Sequence, residues 1–317
     1  MTLKILVITP IKHISDLTNK LEKLGEVTYF DDPTSTEIIS TIHNFDAIFT
    51  NPNKSKVFIG SKLINAATKL KVICTASTGT DHIDCDYANK KGIKILSLTK
   101  DLDIIKKISS TAELAFALTL ASLRHIVPSH YSVLDGKWDY TKFIGRQINY
   151  LTVGVIGYGR LGSIYANFCN SFGAKVVAFD PYKKIVSNKL LQVDSLSELC
   201  SLSNIISLHV HANKENLGMI NKKNLILMKK DVIIVNTSRG DIIVEKDLVD
   251  FLSNNPNSKF ATDVIADEVR NRLASPILEY AKNSNQVTIT PHIGGMTYEA
   301  QKIAYNHAAN KLYNFFN

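Results

Sequence analysis

Three side chains in the last third of the chain have the types that acid–base chemistry on an oxygen atom requires. Arg239 follows the apolar run Val232–Val235 after a short polar stretch, and Glu268 and His292 each follow a further apolar run. An imidazole titrates near neutral pH and exchanges a proton with a hydroxyl group. A guanidinium binds a carboxylate while it polarises the adjacent carbonyl. These residues predict chemistry on an alcohol or ketone beside a carboxylate.

A carboxylate close to His292 would orient the imidazole and stabilise its protonated form. Two candidates follow the run that ends at Asp263, namely Asp267 and Glu268. Their spacing from His292 does not decide between them, so both stay open on the residues alone.

Apolar runs alternate with helical patterns along the whole chain, which predicts parallel sheets covered by helices on both faces. The first series of predicted strands is Ile5–Ile8, Val27–Phe30, Ala47–Thr50, Val72–Thr75 and Ile93–Leu96. The second series is Leu151–Ile156, Val176–Asp180, Ile205–Val210, Val232–Asn236, Phe260–Val264 and Val287–Thr290. Six strands with helices between them match a complete dinucleotide-binding domain. The predicted fold class is α/β, with two doubly wound parallel-sheet domains. The last segment, Tyr298–Asn317, has an amphipathic helical pattern that suits packing on the first domain.

A glycine-rich turn opens the second series at "GVIGYGRLGS". Gly157, Gly159 and Gly162 have the G-x-G-x-x-G spacing, and they follow an apolar strand and open a helix, which is the context this motif needs. The backbone amides of Arg160 and Leu161 would then lie at a helix N-terminus and bind a diphosphate. The turn predicts a bound dinucleotide.

Asp180 ends the next strand, 18 residues after Gly162. A carboxylate at this position accepts the ribose hydroxyls of NAD and repels a 2′-phosphate, so NAD is the predicted cofactor. Lys183 and Lys184 close by leave NADP open as the lesser alternative.

Composition argues against several other classes of protein. The net charge of +8 is spread over scattered lysines rather than concentrated on one face, so we expect no nucleic-acid partner. The cysteines lack metal-ligand spacing, so we expect no metal site and a reducing, cytoplasmic location. The N-terminal apolar run is broken by Pro10, and the longest helical apolar stretch has 13 residues. We therefore expect neither a signal peptide nor a membrane span.

Several longer motifs resemble those of the NAD-dependent D-2-hydroxyacid dehydrogenases, and the resemblance covers nearly the whole chain. The motifs include "STGTDHIDCDYANKKGI", "GVIGYGRLGS", "VNTSRGDIIVEKDL" and "PHIGGMTYEA". The resemblance implies a flavodoxin-like substrate domain formed by residues 1–102 and 296–317, and a Rossmann NAD domain formed by residues 103–295. It also implies hinges near Leu98–Ile105 and near Gly295, an active site in the cleft, and a homodimer formed through the NAD domain.

The resemblance also implies roles for single residues. Arg239, Glu268 and His292 would be catalytic; Glu268 is favoured over Asp267 because the family's glutamate stands five residues after the aspartate of "DV". Arg239 and His292 would also contact the substrate, with its carboxylate held by the backbone amides of Thr78 and Gly79. The further residues implied to line the cofactor are Val210, Thr237, Ser238, Asp263 and Gly294.

Within that family the chain most resembles the phosphoglycerate dehydrogenases, in a short form without a regulatory domain. Lys54 and Lys56 would then bind a substrate phosphate, or they are two solvated lysines. A glyoxylate or hydroxypyruvate reductase, or a non-catalytic NAD-sensing protein, are the alternatives. His211 and Val269 stand where the family has prolines. We expect His211 to alter the wall of the nicotinamide site and Val269 to leave the loop around Glu268 less constrained.

Overall fold

The structure is a computed structural model that describes residues 2–52 and 57–317. The chain divides into two compact units. Unit one comprises Met1–Ile108 and Gly295–Asn317, and unit two comprises Ser109–Gly294. Unit one includes the short helix Leu102–Ile105, and the predicted domain boundary after residue 102 stays a prediction.

Unit one contains a five-stranded parallel sheet in the order β2-β1-β3-β4-β5. Its strands are β1 Lys4–Val7, β2 Glu26–Tyr29, β3 Ala47–Thr50, β4 Val72–Thr75 and β5 Lys94–Leu96. Successive side chains of a strand point to opposite faces, and here both faces are buried. Ile5 and Val7 belong to one apolar cluster, whereas Leu6 and Ile8 belong to another. Two-sided burial explains why the strands β1, β3 and β4 are almost continuously apolar in the sequence.

Short helices connect the strands of unit one. They are α1 Leu17–Glu22, α2 Ser35–Thr41, α3 Ser61–Ala66, α4 Cys85–Lys90 and α5 Leu102–Ile105. Two of them begin at residues whose side chains accept a hydrogen bond from the first turn. Thr34 caps α2, and Asp84 caps α4. Such caps satisfy amides that have no partner within the helix, so the helices begin where the sequence places these residues.

Unit two contains a seven-stranded parallel sheet in the order β12-β11-β10-β9-β6-β7-β8. Its strands are β6 Thr152–Ile156, β7 Lys175–Phe179, β8 Leu191–Gln192, β9 Ile205–Leu208, β10 Ile233–Asn236, β11 Lys259–Thr262 and β12 Val287–Ile289. The predicted doubly wound α/β class is confirmed for both units. The two-residue strand β8 was not predicted, because it is very short and its Leu191 is exposed.

Helices cover the sheet of unit two. They are α6 Ser110–Leu123, α7 Ile126–Leu134, α8 Arg160–Ser171, α9 Leu196–Leu202, α10 Lys222–Leu225, α11 Glu245–Asn254 and α12 Pro276–Ala281. The 3₁₀ turns of the chain are Ile42–Asn44, Thr141–Phe143, Ile148–Tyr150, Gly240–Ile242 and Arg272–Ala274. The strand order reverses between β6 and β9, and ligands of open parallel sheets bind at such a reversal, beyond the carboxyl ends of the strands.

The last helix, α13 Tyr298–Phe316, packs on unit one. Leu312 is fully buried in the cluster that contains Ile5. Lys311 donates to the carboxylate of Asp101 at 2.6 Å and to the carbonyl oxygen of Ser97 at 2.7 Å. The chain therefore returns to its first unit after completing the second, as the amphipathic pattern of this segment indicated.

In the part of the chain that the structure describes, no helix is both long enough and apolar enough to cross a lipid bilayer. The same residues contain no group of three or more His, Cys, Asp or Glu side chains arranged to hold a metal ion.

Candidate active site

Arg239, Glu268 and His292 all follow strands that lie side by side in the sheet of unit two. β10 pairs with β11 and β11 pairs with β12, all in parallel. Because parallel strands end at the same edge of a sheet, the three loops that carry these residues emerge from one edge. Topology thus collects side chains that are far apart in the sequence.

His292 and Glu268 form a hydrogen-bonded pair. Nδ1 of His292 lies 2.5 Å from Oε1 of Glu268, and the two side chains are 22% and 24% exposed. An ionised carboxylate only accepts hydrogen bonds, so the Nδ1 position carries the proton in this pair. Nε2 is then the nitrogen that can exchange a proton with a substrate. The pair has the geometry that orients an imidazole for acid–base work.

Asp267, the other carboxylate considered for this role, has a different partner. Its Oδ1 accepts from Nε of Arg270 at 2.7 Å, and its carbonyl oxygen accepts the amides of Arg270 and Asn271. Its backbone is left-handed, with φ of 50°. Asp267 therefore forms the turn, and the next residue, Glu268, faces His292.

Asp263 anchors the loop that carries His292. Its buried carboxylate accepts from Oγ1 of Thr290 at 2.5 Å and from the amides of Ile293 at 2.8 Å and Gly294 at 2.7 Å. Burial raises the pKa of this carboxyl group, and these donors together with His292 oppose the rise. The resemblance implied that Asp263 and Gly294 line the cofactor. In unit two the amide of Gly294 also donates to the carboxylate of Asp263, a contact that no sequence pattern indicates.

Arg239 lies in a loop that Asn236 organises. The fully buried amide of Asn236 donates to the carbonyl oxygen of Arg239 at 2.8 Å and accepts from the amide and the hydroxyl of Ser238. One terminal nitrogen of the Arg239 guanidinium donates to the carbonyl oxygen of Ser238 at 2.7 Å. Thr237, beside them, buries a hydroxyl that has no partner among the described residues. An unpaired buried hydroxyl is costly, which fits the predicted contact of Thr237 with a cofactor.

The loop of Glu268 is held at both ends by Glu245, a residue that sequence reasoning missed. The buried Glu245 carboxylate accepts from the amide of Ala266 at 2.8 Å and from the hydroxyl of Ser275 at 2.7 Å. Val269 replaces a family proline in this loop, and Glu245 supplies a constraint that does not depend on that proline. In the sequence Glu245 reads as an ordinary acidic residue at the start of a helix.

The glycine-rich turn forms a cradle at the start of α8. Gly157 has φ of 86°, and a Cβ atom there would lie 2.7 Å from the carbonyl oxygen of His209. A Cβ atom on Gly162 would lie 2.0 Å from the carbonyl oxygen of Gly157. At Gly159, by contrast, no atom of the described residues beyond its two chain neighbours lies within 4 Å of the Cβ position. The first and third glycines allow close packing, and the second leaves space in front of the α8 N-terminus. This space suits a diphosphate, with Arg160 and Leu161 as the first two residues of the helix.

Asp180 lies directly beside this cradle. Its Oδ2 accepts from the amide of Tyr158, the residue between the first two glycines, at 2.9 Å, and its Oδ1 accepts from the amide of Tyr182 at 3.0 Å. Each carboxylate oxygen can accept a second hydrogen bond, so both remain able to bind ribose hydroxyls. Lys183 donates to the carbonyl oxygen of Tyr158 at 3.2 Å and lies over its ring.

The other predicted cofactor and substrate residues lie in separate places. Val210 follows β9 and would contact a Cβ atom on Gly157. His211, in place of the family proline, accepts at its carbonyl oxygen from the side chain of Asn216. Thr78 and Gly79 belong to unit one, in the loop after β4. The predictions for Lys54 and Lys56 fall outside the described residues.

The cradle can be tested by comparing two glycines with opposite surroundings. Gly162→Ala should destabilise unit two by about 1–3 kcal/mol, because the new methyl group collides with backbone, as urea unfolding would measure. Gly159→Ala should fold with wild-type stability but bind NADH at least about tenfold more weakly, measured by fluorescence titration, because its methyl group occupies the space of the diphosphate. Wild-type NADH affinity in Gly159→Ala would contradict the assignment.

Residues 116–294 match the D-isomer specific 2-hydroxyacid dehydrogenase, NAD binding domain. A D-3-phosphoglycerate dehydrogenase of Methanocaldococcus jannaschii is 34% identical over 98% of this chain and 56% of its own length. A hydroxypyruvate reductase of Thermotoga maritima is 34% identical over 84% of this chain and 83% of its own. This chain thus spans about half the length of the phosphoglycerate dehydrogenases that it matches.

A solved structure of a D-lactate dehydrogenase from Aquifex aeolicus, complexed with NAD and lactic acid, has a TM-score of 0.78 and 27% sequence identity. The similarity covers 99% of this chain and 95% of the other. Together with the match to the NAD-binding domain, these similarities show that the chain belongs to the D-isomer specific 2-hydroxyacid dehydrogenase family.

Proposed function

We propose that the protein transfers a hydride reversibly between NAD(H) and C2 of a D-2-hydroxy or 2-keto acid. The observation that carries the proposal is the His292–Glu268 pair, which lies at the same sheet edge as the loop of Arg239. The glycine cradle and Asp180, at the ends of β6 and β7 in the same sheet, suit the diphosphate and the adenosine ribose of the dinucleotide.

When bound, NAD accepts or supplies the hydride, and residues of the chain handle the charge on the substrate. In the direction of oxidation, Nε2 of His292 takes the proton of the C2 hydroxyl as the hydride leaves C2. Glu268, hydrogen-bonded to Nδ1, stabilises the imidazolium that results. The Arg239 guanidinium pairs with the substrate carboxylate and polarises the C2 oxygen. The backbone amides of Thr78 and Gly79, in unit one, are proposed to bind a substrate carboxylate.

A phosphorylated three-carbon acid is the first candidate substrate, because the archaeal relative that spans 98% of this chain is named a D-3-phosphoglycerate dehydrogenase. Hydroxypyruvate is the second, because the Thermotoga maritima relative matches over most of its own length. An assay of NADH absorbance with 3-phosphohydroxypyruvate, hydroxypyruvate, glyoxylate and pyruvate separates them by kcat/KM. Turnover of none of the four would favour the non-catalytic, NAD-sensing alternative.

Replacing His292 tests the proton transfer. His292→Asn is the suitable change, because His292 has a φ of 53° and asparagine tolerates left-handed backbone better than most residues. Turnover should fall by roughly 10²–10⁴-fold, the usual contribution of a general acid or base. NADH affinity, measured by fluorescence titration, should not change. Unchanged turnover would remove the histidine from the mechanism.

The two neighbouring carboxylates provide a matched control for this experiment. Glu268→Gln removes the charge that faces His292 and should lower kcat by about tenfold or more, since the imidazolium loses its partner. Asp267→Asn removes the same charge one residue earlier, where the partner is Arg270, and should leave kcat within about twofold. Equal losses in the two variants would argue against a specific role of Glu268.

We propose that the protein is a homodimer formed through unit two. No residue of helix α7 is buried, and the chain from α7 to Ile148 carries a set of exposed large apolar side chains. These are Ile126, Val127, Tyr131, Val133, Leu134, Trp138, Tyr140 and Ile144, with Trp138 92% exposed. Monomeric proteins rarely expose large contiguous apolar patches, so a set of exposed apolar side chains along one segment suits burial against a second copy. The segment Ile126–Leu134 contains no charged residue, so a second copy could bury it without desolvating an ion pair.

Sedimentation equilibrium tests the dimer. The wild-type protein should have twice the mass of the chain, and the double variant Leu134→Ser, Trp138→Ser should shift towards the monomer because the apolar contact is lost. Leu273→Ser is the matched control, since Leu273 is 84% exposed and lies elsewhere in unit two. A monomeric wild-type protein would refute the proposal.

A further inference from the structure

We propose that a buried chain of hydrogen bonds, His82–Thr75–Ser77, orients a carboxylate-binding loop in unit one. The loop, Ser77–Thr80, offers three backbone amides to a carboxylate, those of Thr78, Gly79 and Thr80. The inference rests on the proposed function and deepens it. The family resemblance implies only the first two amides and identifies no residue that orients them.

The carbonyl groups of the loop all bind to unit one. The carbonyl oxygen of Ser77 accepts from the amide of Leu98 at 2.9 Å, and that of Thr78 accepts from the hydroxyl of Thr99 at 2.6 Å. The carbonyl oxygen of Gly79 accepts from the hydroxyl of Ser77 at 2.7 Å. Three successive carbonyl groups are therefore fixed by donors.

The amide groups of the same three peptide units point the other way. In a trans peptide unit the C=O and N–H bonds are antiparallel, and the described residues contain no cis peptide bond. The amides of Thr78, Gly79 and Thr80 therefore point away from the donors that hold the carbonyl groups. None of the three donates to an acceptor within the described residues. Successive amides that share a concave side bind anions without a cationic side chain.

Each hydroxyl group has one proton to donate, and this determines which group is the donor in each hydrogen bond between His82 and Gly79. The single hydroxyl proton of Ser77 goes to the carbonyl oxygen of Gly79. In the 2.7 Å contact between the Thr75 and Ser77 hydroxyls, Thr75 must therefore be the donor. Having used its only proton, Thr75 must accept in its 3.2 Å contact with Nε2 of His82. His82 thus carries a proton on Nε2 and is the first donor of the chain.

The first two residues of this hydrogen-bonded chain are buried in unit one. Thr75 and His82 are both 0% exposed, whereas the loop residues are partly exposed. A hydrogen-bonded chain whose donors all point one way is strengthened by mutual polarisation, and a low-dielectric environment increases the effect. The hydrogen-bonded chain from His82 therefore fixes the Gly79–Thr80 peptide, whose amide points away from the Ser77 hydroxyl. His82, Thr75 and Ser77 are positioning residues rather than catalytic ones.

The inference is tested with a pair of buried threonines. Thr75→Val keeps the shape of the side chain but breaks the hydrogen-bonded chain. Thr50→Val is the matched control, because Thr50 is the partner of Thr75 in the β3–β4 register, is equally buried, and has a hydroxyl without a partner among the described residues. Oxalate is the probe, since it is an unreactive dicarboxylate, and calorimetry measures its affinity for protein saturated with NADH. Thr75→Val should weaken oxalate binding about fivefold to tenfold, and Thr50→Val should not.

Ser77→Ala is a second test of the same hydrogen-bonded chain, and it applies even if Thr75→Val does not fold. It removes the last donor at a partly exposed position and should weaken oxalate binding in the same way. With a 2-keto acid that the protein reduces, Ser77→Ala should raise KM for that acid with kcat and KM for NADH unchanged, because the loop binds ground state and transition state alike. A residue of purely structural importance would not produce this split.

The outcomes separate the two proposals. Oxalate affinity equal in wild type, Thr75→Val and Ser77→Ala would overturn the inference, and so would a wild-type protein that binds no oxalate. Oxalate binding that depends on Thr75, in a protein that reduces none of the four keto acids, would support the inference and overturn the proposed function alone.

Discussion

The candidate active site depends on one buried carboxylate, Asp263. A carboxylate without partners in a protein interior is costly, so Asp263 requires donors, and it draws them from the residues that flank His292. Thr290, Ile293 and Gly294 donate to it, and the amide of His292 donates to its carbonyl oxygen at 3.0 Å. Because the Asp263 carboxylate needs these donors, it fixes the backbone on both sides of His292.

The loop of Glu268 is likewise held by a buried carboxylate that requires hydrogen-bond donors. Glu245 is also a buried carboxylate, and it takes its donors from both ends of the segment Ala266–Ser275. Gly240, next to Arg239, packs so closely on this segment that a Cβ atom there would lie 2.2 Å from the amide nitrogen of Ala266. Two buried carboxylates and one glycine thus hold the His292, Glu268 and Arg239 loops. None of these three anchors has to touch a substrate for the geometry to depend on it.

The parts of this structure that the sequence predicts are those with a local signature. Strands β1, β3 and β4 could be predicted because burial on both faces makes them largely apolar, whereas β8 could not, because it has only two residues and its leucine is exposed. The glycine cradle could be predicted from its spacing. The choice between Asp267 and Glu268 could not be made from spacing, since it depends on a left-handed turn that directs one side chain to Arg270 and the next to His292. The contacts of Asp263 and Glu245 join residues that are far apart in the sequence, and no local pattern marks them. In the sequence Glu245 therefore looks like any acidic residue at the start of a helix.

The His292–Glu268 pair depends on strained backbone that the surrounding structure must stabilise. Among residues 2–52 and 57–317, four non-glycine residues have positive φ, and Asp267 and His292 are two of them. Left-handed backbone at such residues costs on the order of 1–3 kcal/mol each, and it persists only where the surroundings over-determine it. Both residues lie in segments tied by buried carboxylates, so the hydrogen bonds of Asp263 and Glu245 offset the strain. The imidazole and its carboxylate are therefore aligned by the folded chain itself, before any ligand contributes binding energy.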